Sequence, residues 1–600
     1  MVGNSQHNAG NTHRPESPFA NGSNGYTPSL ESTMDAASED TPLLASRSSC
    51  STLDDFPPES HDDDADDDDN KAQYYVSPAR ATCICFSMWL LMFMQACNMS
   101  GITMIQGSIA DDLDAHDKAV WFTSVFLIVV GCTSPLAGRL ATIFSLRHMV
   151  LASALLFAAG AVVCSRATSF TAFILGRTIT GMGGGCIMTL SLILVLQLTS
   201  RKRRGLFIGM VNAGFTLGVS AGAVVFGALL PVLGWRQLFL VQAPLGLLAG
   251  FGVYFSIPEF GTAEPLKDRS TFEKLKAIDY VGAITLTATT ILFLYGLSGT
   301  IQPTPMVLSV LVLAVFVFNE YKLTSDPLIP ISILQSRGVL LSCLAQLGLM
   351  AARWTVLFYA PIFVLAVRGL PPTVAGAVLI PTNVGFACGG IIVGWLHVRR
   401  AGAFWLPCIV SILLFGLTLF GLSLTSNAMS PAWLYLVIVF CNGFSTGAAL
   451  NYTLAQILHV SAPGTHYVAT GLLATFRGFA GSFGTSIGGG IFTRKLKVEL
   501  AAGFRKLDGS SELSPGRVNL ITRLVGSPNL VYGGTLSNAE RAVAIDGYEV
   551  ALKVLYASAC ALTVLVLLIQ AGTGWTAPAS QETEEEIAEE IAEHDGRGEV

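Results

Sequence analysis

The sequence predicts an all-α polytopic membrane protein, and three observations predict it. About fourteen apolar stretches, each long enough to cross a bilayer, run from Ala81 to Gly572. A helix needs roughly 20 apolar residues to span the hydrocarbon core, and helices dominate there because backbone groups find no water to pair with. The chain of 600 residues is 52% hydrophobic and only 13% charged, where an ordinary soluble protein is about a quarter charged. Its 60 glycines suit close helix–helix packing in lipid, where small residues let backbones approach.

Residues 1–78 are rich in Ser, Asn, Asp and Pro and carry an acidic run at Asp62–Asp69. Such a segment cannot bury enough apolar surface to fold and is expected to be an acidic cytosolic tail. Its polar start is not that of a cleaved secretory signal, so the first span is expected to direct insertion. Within the tail, Glu39, Leu43 and Leu44 of EDTPLL resemble the acidic dileucine signal that sorting adaptors read for endosomal or vacuolar delivery. The net charge of −6 comes largely from the two tails and says little about a ligand. The 12 cysteines are scattered, several within apolar stretches (Cys83, Cys132, Cys343, Cys560). None has zinc spacing, so neither a metal site nor a disulfide framework is expected.

The spans fall at about 81–105, 119–137, 149–165, 169–197, 205–229, 237–256, 279–298, 305–320, 339–366, 373–395, 403–425, 432–456, 467–492 and 550–571. Their order divides the chain into regions 79–256, 257–338 and 339–572. Basic residues fall in alternate short loops: Arg139 and Arg147, then Arg201–Arg204, then Lys267, Arg269, Lys274 and Lys276, then Arg399 and Arg400. The first intervening loop is acidic, with Asp111, Asp112, Asp114 and Asp117. By the positive-inside rule both termini are cytosolic, and 493–549 is one long non-cytosolic loop. The tail 573–600 is acidic and cytosolic.

Several ordered motifs resemble the major facilitator superfamily, specifically the fourteen-span drug:proton antiporter branch found in fungi. Gly138–His148 (GRLATIFSLRH) resembles the loop signature G-x-L-x-D-R-x-G-R-R, and a weaker second copy lies at Gly394, Leu396, Arg399 and Arg400. Arg177 in GRTITGMGGG resembles R-x-x-x-G-x-G, and Gly214, Gly218, Gly222 and Gly227 resemble the antiporter motif. Trp235–Gly246 is similar to W-R-W-x-F-x-I-N-x-P-x-G. Ile278–Gly282, Asp326–Pro330 and Tyr359–Gly376 resemble further family landmarks. The resemblance implies two six-helix bundles with two extra central helices, a substrate site near the midplane between the bundles, and rocking that alternates access.

Gly138 and Arg147 are candidate gating residues. Thr142 stands where the family has an acidic gate residue and Ser145 where it has a second glycine. Gly218, Gly222 and Gly227 repeat at about helical spacing and are expected to let the span approach its neighbours closely and bend. Ala223 replaces the family proline, which predicts a milder kink.

Arg177, Arg353 and Arg477 fall inside spans, and no Asp or Glu lies well inside any. Arg353 sits about 14 residues into its span, roughly 21 Å deep. An arginine there costs on the order of 2.5–3.5 kcal/mol and so faces a cavity or a partner. In the first span Asn98 occupies the family's membrane aspartate position. An amide neither carries a proton at physiological pH nor balances a cation. These four are the candidate substrate-binding or coupling residues.

The resemblance implies a secondary transporter that exports a small organic molecule from the cytosol, and the arginines lean toward an anionic metabolite. The rival expectations are a multidrug or toxin efflux pump, a vacuolar basic amino acid transporter, and a non-transporting membrane sensor. No nucleotide loop, metal cluster or nucleophile elbow suggests an enzyme or a cofactor, and a proton gradient is the candidate energy source. The expected partners are the small-molecule substrate, the lipid bilayer and a sorting adaptor, with no nucleic acid. The chain is expected to be a monomer in the plasma membrane or the vacuolar membrane.

Overall fold

The structure, a computed structural model, describes residues 78–198, 204–257, 279–298, 301–324, 334–396, 404–461 and 466–574. The sorting residues Glu39, Leu43 and Leu44, the basic loop residues Arg201–Arg203, Lys267–Lys276, Arg399 and Arg400, the Asp326–Pro330 landmark and the C-terminal tail lie outside the described residues, as does the side chain of Thr142. Among the described residues every regular element is helical.

A first bundle comprises α1 (Pro78–Asp112), α2 (Ala119–Ile143), α3 (Leu146–Arg166), α4 (Phe170–Leu198), α5 (Arg204–Leu240) and α6 (Gln242–Ser256). α7 (Tyr280–Ser298) and α8 (Pro303–Phe318) form the central pair. A second bundle comprises α9 (Arg337–Ala366), α10 (Pro372–Ala377 and, past a turn at Val378, Leu379–Leu396), α11 (Trp405–Thr425), α12 (Ala432–Val460), α13 (His466–Asp508) and α15 (Asn538–Ala571), with α14 (Pro515–Gly526) in the connection before α15. α1 packs on α5 and α6, and α3 on α4; in the second bundle α10 packs on α12, and α13 on α9 and α15. α7 joins the two bundles from the side: Tyr295 packs on Trp121 of α2 and Phe293 on Phe483 of α13. Residues left exposed on the helices are themselves apolar, among them Leu175, Leu248, Ile284, Leu311 and Leu406, while Arg177, Asn98 and Gln242 lie inside. That inversion suits a hydrocarbon solvent.

The first of two differences from expectation is the number of helices that meet a span's length and hydropathy. Twelve described helices are long and apolar enough to cross a membrane, against about fourteen expected; α6 and α13 account for the difference. Gly234 (φ 70°, ψ 163°) breaks the chain between the fifth and sixth spans, and a turn at Val241 leaves α6 with 15 residues. α13 is rich in Gly, Ser and Thr because it packs on α9, α15 and α2 rather than on lipid.

The second difference concerns 493–549, expected as a long loop. α13 continues unbroken to Asp508 and α15 starts at Asn538, so the two helices project as a hairpin. Leu496, Leu500 and Phe504 bury against the Ala544–Leu552 face of α15. Arg517 of α14 grips Asp508 through two 2.9 Å hydrogen bonds and also pairs with Glu540. A capping box at Ser537 and Glu540 starts α15. The segment after α14 crosses the mouth between the bundles. Ser527 Oγ donates to the Gly107 carbonyl of α1 at 3.2 Å, and Tyr532 Oη to the Val367 carbonyl beyond α9 at 3.1 Å. Gly369 takes a positive φ of 65° directly beneath the Tyr532 ring. This end of the molecule is the capped face.

Candidate functional site

The structure brings Asn98 and Arg177 together inside the first bundle. Arg177 is fully buried; its Nε donates to the Phe122 carbonyl at 2.8 Å, Nη1 donates to Asn98 Oδ1, and the guanidinium lies 4.4 Å from the Phe126 ring centre. Asn98 Nδ2 donates to Gln242 Oε1 at 2.8 Å, and Gln242 Nε2 donates to the Leu238 carbonyl at 2.8 Å. Three helices are thereby tied by neutral amides around one cation. Gln242 was not singled out from sequence, although it occupies the amide position of the Trp235–Gly246 motif.

Arg353 lies elsewhere, at the boundary between the bundles. Its Nη1 donates to Thr382 Oγ1 at 2.9 Å and its Nη2 to Asn383 Oδ1 at 3.1 Å, and the guanidinium lies 5.0 Å from the Phe386 ring centre. Asn383 Nδ2 then donates to Ser220 Oγ of α5, in the other bundle, at 2.7 Å. Arg477 of α13 is near enough to Arg353 for their charges to repel. It is half-buried and makes no hydrogen bond or ion pair with the described residues. Every described aspartate and glutamate lies at a helix end or in the 493–549 assembly, so no described carboxylate neutralises this pair. Thr382, Asn383, Phe386 and Ser220 carried no signal in the linear pattern.

Two seams join the bundles around this region. α5 meets α10 at Gly227, where a Cβ would stand 2.8 Å from the Pro372 carbonyl group, and at Ala223, whose carbonyl carbon stands 2.6 Å from a Cβ on Gly376. The Ser220–Asn383 bond is the next contact along. Two helical turns farther, Ala213 is exposed. α2 and α13 touch at Val120 and Gly489, Leu127 and Gly481, and Gly131 and Phe479. Ala474, two turns from Gly481 on the same side of α13, is exposed, and nothing lies within 4 Å of a Cβ on Gly478. Both seams are closed toward the capped face, and the exposed Ala213 and Ala474 lie toward the face predicted to be cytosolic. Beside Arg353 the bundles still touch, where the Phe215 ring of α5 packs edge-on to Trp354 of α9 with centres 6.5 Å apart.

The gating candidates divide. Gly218 and Gly222 pack against Phe93 and Cys97 of α1, within one bundle, and of the three only Gly227 meets the other bundle. Gly138 has only the Thr189 methyl near it, 3.8 Å from a Cβ, so no close helix contact is made there. Arg147 stacks on Tyr254 of α6, 5.2 Å from the ring centre, again inside the first bundle.

The family description "Major Facilitator Superfamily" matches residues 88–485. The chain is 28% identical over 419 residues to the Acurin A biosynthesis cluster MFS-type transporter of Aspergillus aculeatus, covering 68% of this chain and 74% of the relative. It is 26% identical over 460 residues to Multidrug resistance protein fnx1 of Schizosaccharomyces pombe, covering 74% and 84%. It is 26% identical over 315 residues to Vacuolar basic amino acid transporter 1 of Saccharomyces cerevisiae, covering 52% and 56%. In fold it resembles a bacterial homolog of the human lysosomal transporter Spinster, with a TM-score of 0.58 at 14% identity, covering 84% of this chain and 100% of that one. Two helical bundles, a central helix pair and the family match over most of the membrane region together make this chain a secondary transporter of the major facilitator superfamily.

Proposed function

We propose that the chain exports small organic anions, loading them from the cytosol at Arg353 and Arg477 and releasing them at the capped face. The observation that carries this reading is the buried Arg353 beside the half-buried Arg477, with no carboxylate among the described residues to neutralise them. A buried cation satisfied only by neutral acceptors and an aromatic face retains its pull on an anion, and charge-assisted bonds are about twice as strong as neutral ones. A cationic cargo would meet like charge here. Similarity to the acurin-cluster and multidrug relatives favours small-molecule export, and the exposed Ala213 and Ala474 on the side predicted to be cytosolic favour loading from that side.

Asn98 removes the membrane carboxylate that a proton would ride on, and anion export does not need one. Moving one negative charge out of a negative-inside compartment is favoured by about 2.3 kcal/mol per 100 mV. The reading therefore assigns electrogenic transport, with a proton gradient serving only to maintain the potential, no chemical step on the cargo and no cofactor. The protein acts as a monomer, and an adaptor bound at Glu39, Leu43 and Leu44 directs part of it to the vacuole.

The test is benzoate flux in proteoliposomes under an imposed potassium diffusion potential. Arg353→Gln is expected to cut flux by roughly tenfold or more, the scale of a lost bond to a charged group, at unchanged incorporation. Arg353→Lys restores it only in part, because an ammonium lacks the planar fork. Potential-independent flux, or full flux in well-incorporated Arg353→Gln, rejects the reading.

A further inference from the structure

We infer that Asn383 is a positioning residue that couples the charge state of Arg353 to the closure of the capped face. Asn383 has one acceptor oxygen and one donor nitrogen, and the two point into different bundles. Its Oδ1 is held by Arg353 Nη2 at 3.1 Å, within the second bundle. With the oxygen held there, Nδ2 is turned outward and reaches Ser220 Oγ on α5 at 2.7 Å. Ser220 Oγ in turn donates to the Thr216 carbonyl at 3.2 Å. A continuous polar line thus runs from a cation in the second bundle to the backbone of the first. Along the α5–α10 seam it follows the close contacts at Gly227 and Gly376, on their side toward the face predicted to be cytosolic.

The line works as a relay when an anion takes the Nη2 hydrogen that now holds the Asn383 oxygen. The inference rests on the anion reading for what loads Arg353. An anion there forms charge-assisted bonds that compete with the neutral Asn383 oxygen. The amide then loses the donor that fixes its orientation, and the Ser220 bond weakens with it. A ligand shifts a two-state equilibrium only through its unequal affinity for the two states. Here the unequal term is the Ser220 bond, present when the capped face is closed and broken when α5 and α10 separate. The coupling is reciprocal: opening the seam also frees Asn383 and alters what Arg353 can hold.

The test uses the full chain in lipid nanodiscs, with native cysteines replaced and spin labels at Asp117 and Thr535, both exposed on the capped face of opposite bundles. Without ligand, Ser220→Ala and Asn383→Ala are each expected to raise the population with a separated capped face about fivefold, the effect of one ordinary hydrogen bond. The double variant is expected to rise no further, and Arg353→Gln to raise it as well. Benzoate is expected to raise it in the wild type, and to raise it much less in Ser220→Ala although that variant still binds benzoate. Additive effects of the two single variants, an unchanged population in Ser220→Ala or in Arg353→Gln, or a full benzoate response in Ser220→Ala each overturn the relay. Absence of benzoate binding to the wild type overturns the anion reading instead, and the ligand-free comparison still decides the relay.

Discussion

Four arginine and asparagine positions that look equivalent in a linear reading have different roles because their surroundings differ. Arg177 is enclosed by Asn98, the Phe122 carbonyl and the Phe126 face, so its contribution is to hold α1, α2 and α4 together. Arg177→Met leaves the Asn98 oxygen buried without a donor, a loss of about 1–3 kcal/mol. A lower thermal midpoint in detergent is the expected result. Adding Asn98→Leu should recover part of it, because removing both partners costs less than orphaning one. Arg353 has weaker neutral partners and lies at the boundary between the bundles, so its replacement is expected to act on flux before abundance. A variant of Arg177 that kept full stability but lost transport would move it from the scaffold to the transport path.

At the scale of elements, small residues matter by what faces them. Gly376 on α10 leaves no room for a side chain, since a Cβ would stand 2.6 Å from the Ala223 carbonyl carbon on α5. Overpacking of this kind costs about 1–3 kcal/mol. Gly376→Val should therefore shift the closed capped face toward separation by at least about fivefold, read by cross-linking across the seam. Gly138→Ala should transport normally, because only the Thr189 methyl is near.

The projecting ends of α13 and α15 are held together by a polar clamp at α14. The Ser537 backbone and the Arg517 guanidinium hold the Glu540 carboxyl below its usual value of 4.5. A carboxylate depressed on folding stabilises the hairpin fully above its unfolded value and loses that contribution as pH falls through the folded one. Proteolysis near α14 should therefore accelerate below about pH 4.5. Glu540→Gln should flatten that pH dependence while raising cleavage at neutral pH, and identical acid profiles in the two proteins would remove Glu540 from the clamp.

For the whole molecule, the bundles close at the capped face, and the segment after α14 bridges them there through Ser527 and Tyr532. Anchored by Arg541 Nε to the Val531 carbonyl at 3.2 Å, that segment belongs to the second bundle and is expected to travel with it. Cellular address is set at this scale too. Leu43→Ala with Leu44→Ala is expected to move a vacuolar pool toward the cell surface in fluorescence microscopy. A wild-type protein found wholly at the plasma membrane would make the EDTPLL match a coincidence.

The class of the fold was legible from the chain alone, because a bilayer admits few solutions for long apolar segments, and their lengths and loop charges are local properties. The family followed from ordered motifs, and Arg353 announced itself by its depth in an apolar span. Twelve helices rather than fourteen stand out by length and hydropathy because a turn at Val241 shortens α6 and the small polar residues of α13, which packs on protein, lower its hydropathy. Only the tertiary structure separated Arg177 from Arg353, since both are single arginines in apolar runs until their partners are known. The partners come from other helices: Gln242 lies 144 residues from Asn98, and Ser220 lies 163 from Asn383. Contacts of that range leave no periodicity in a sequence, because they depend on how separate helices are set against one another.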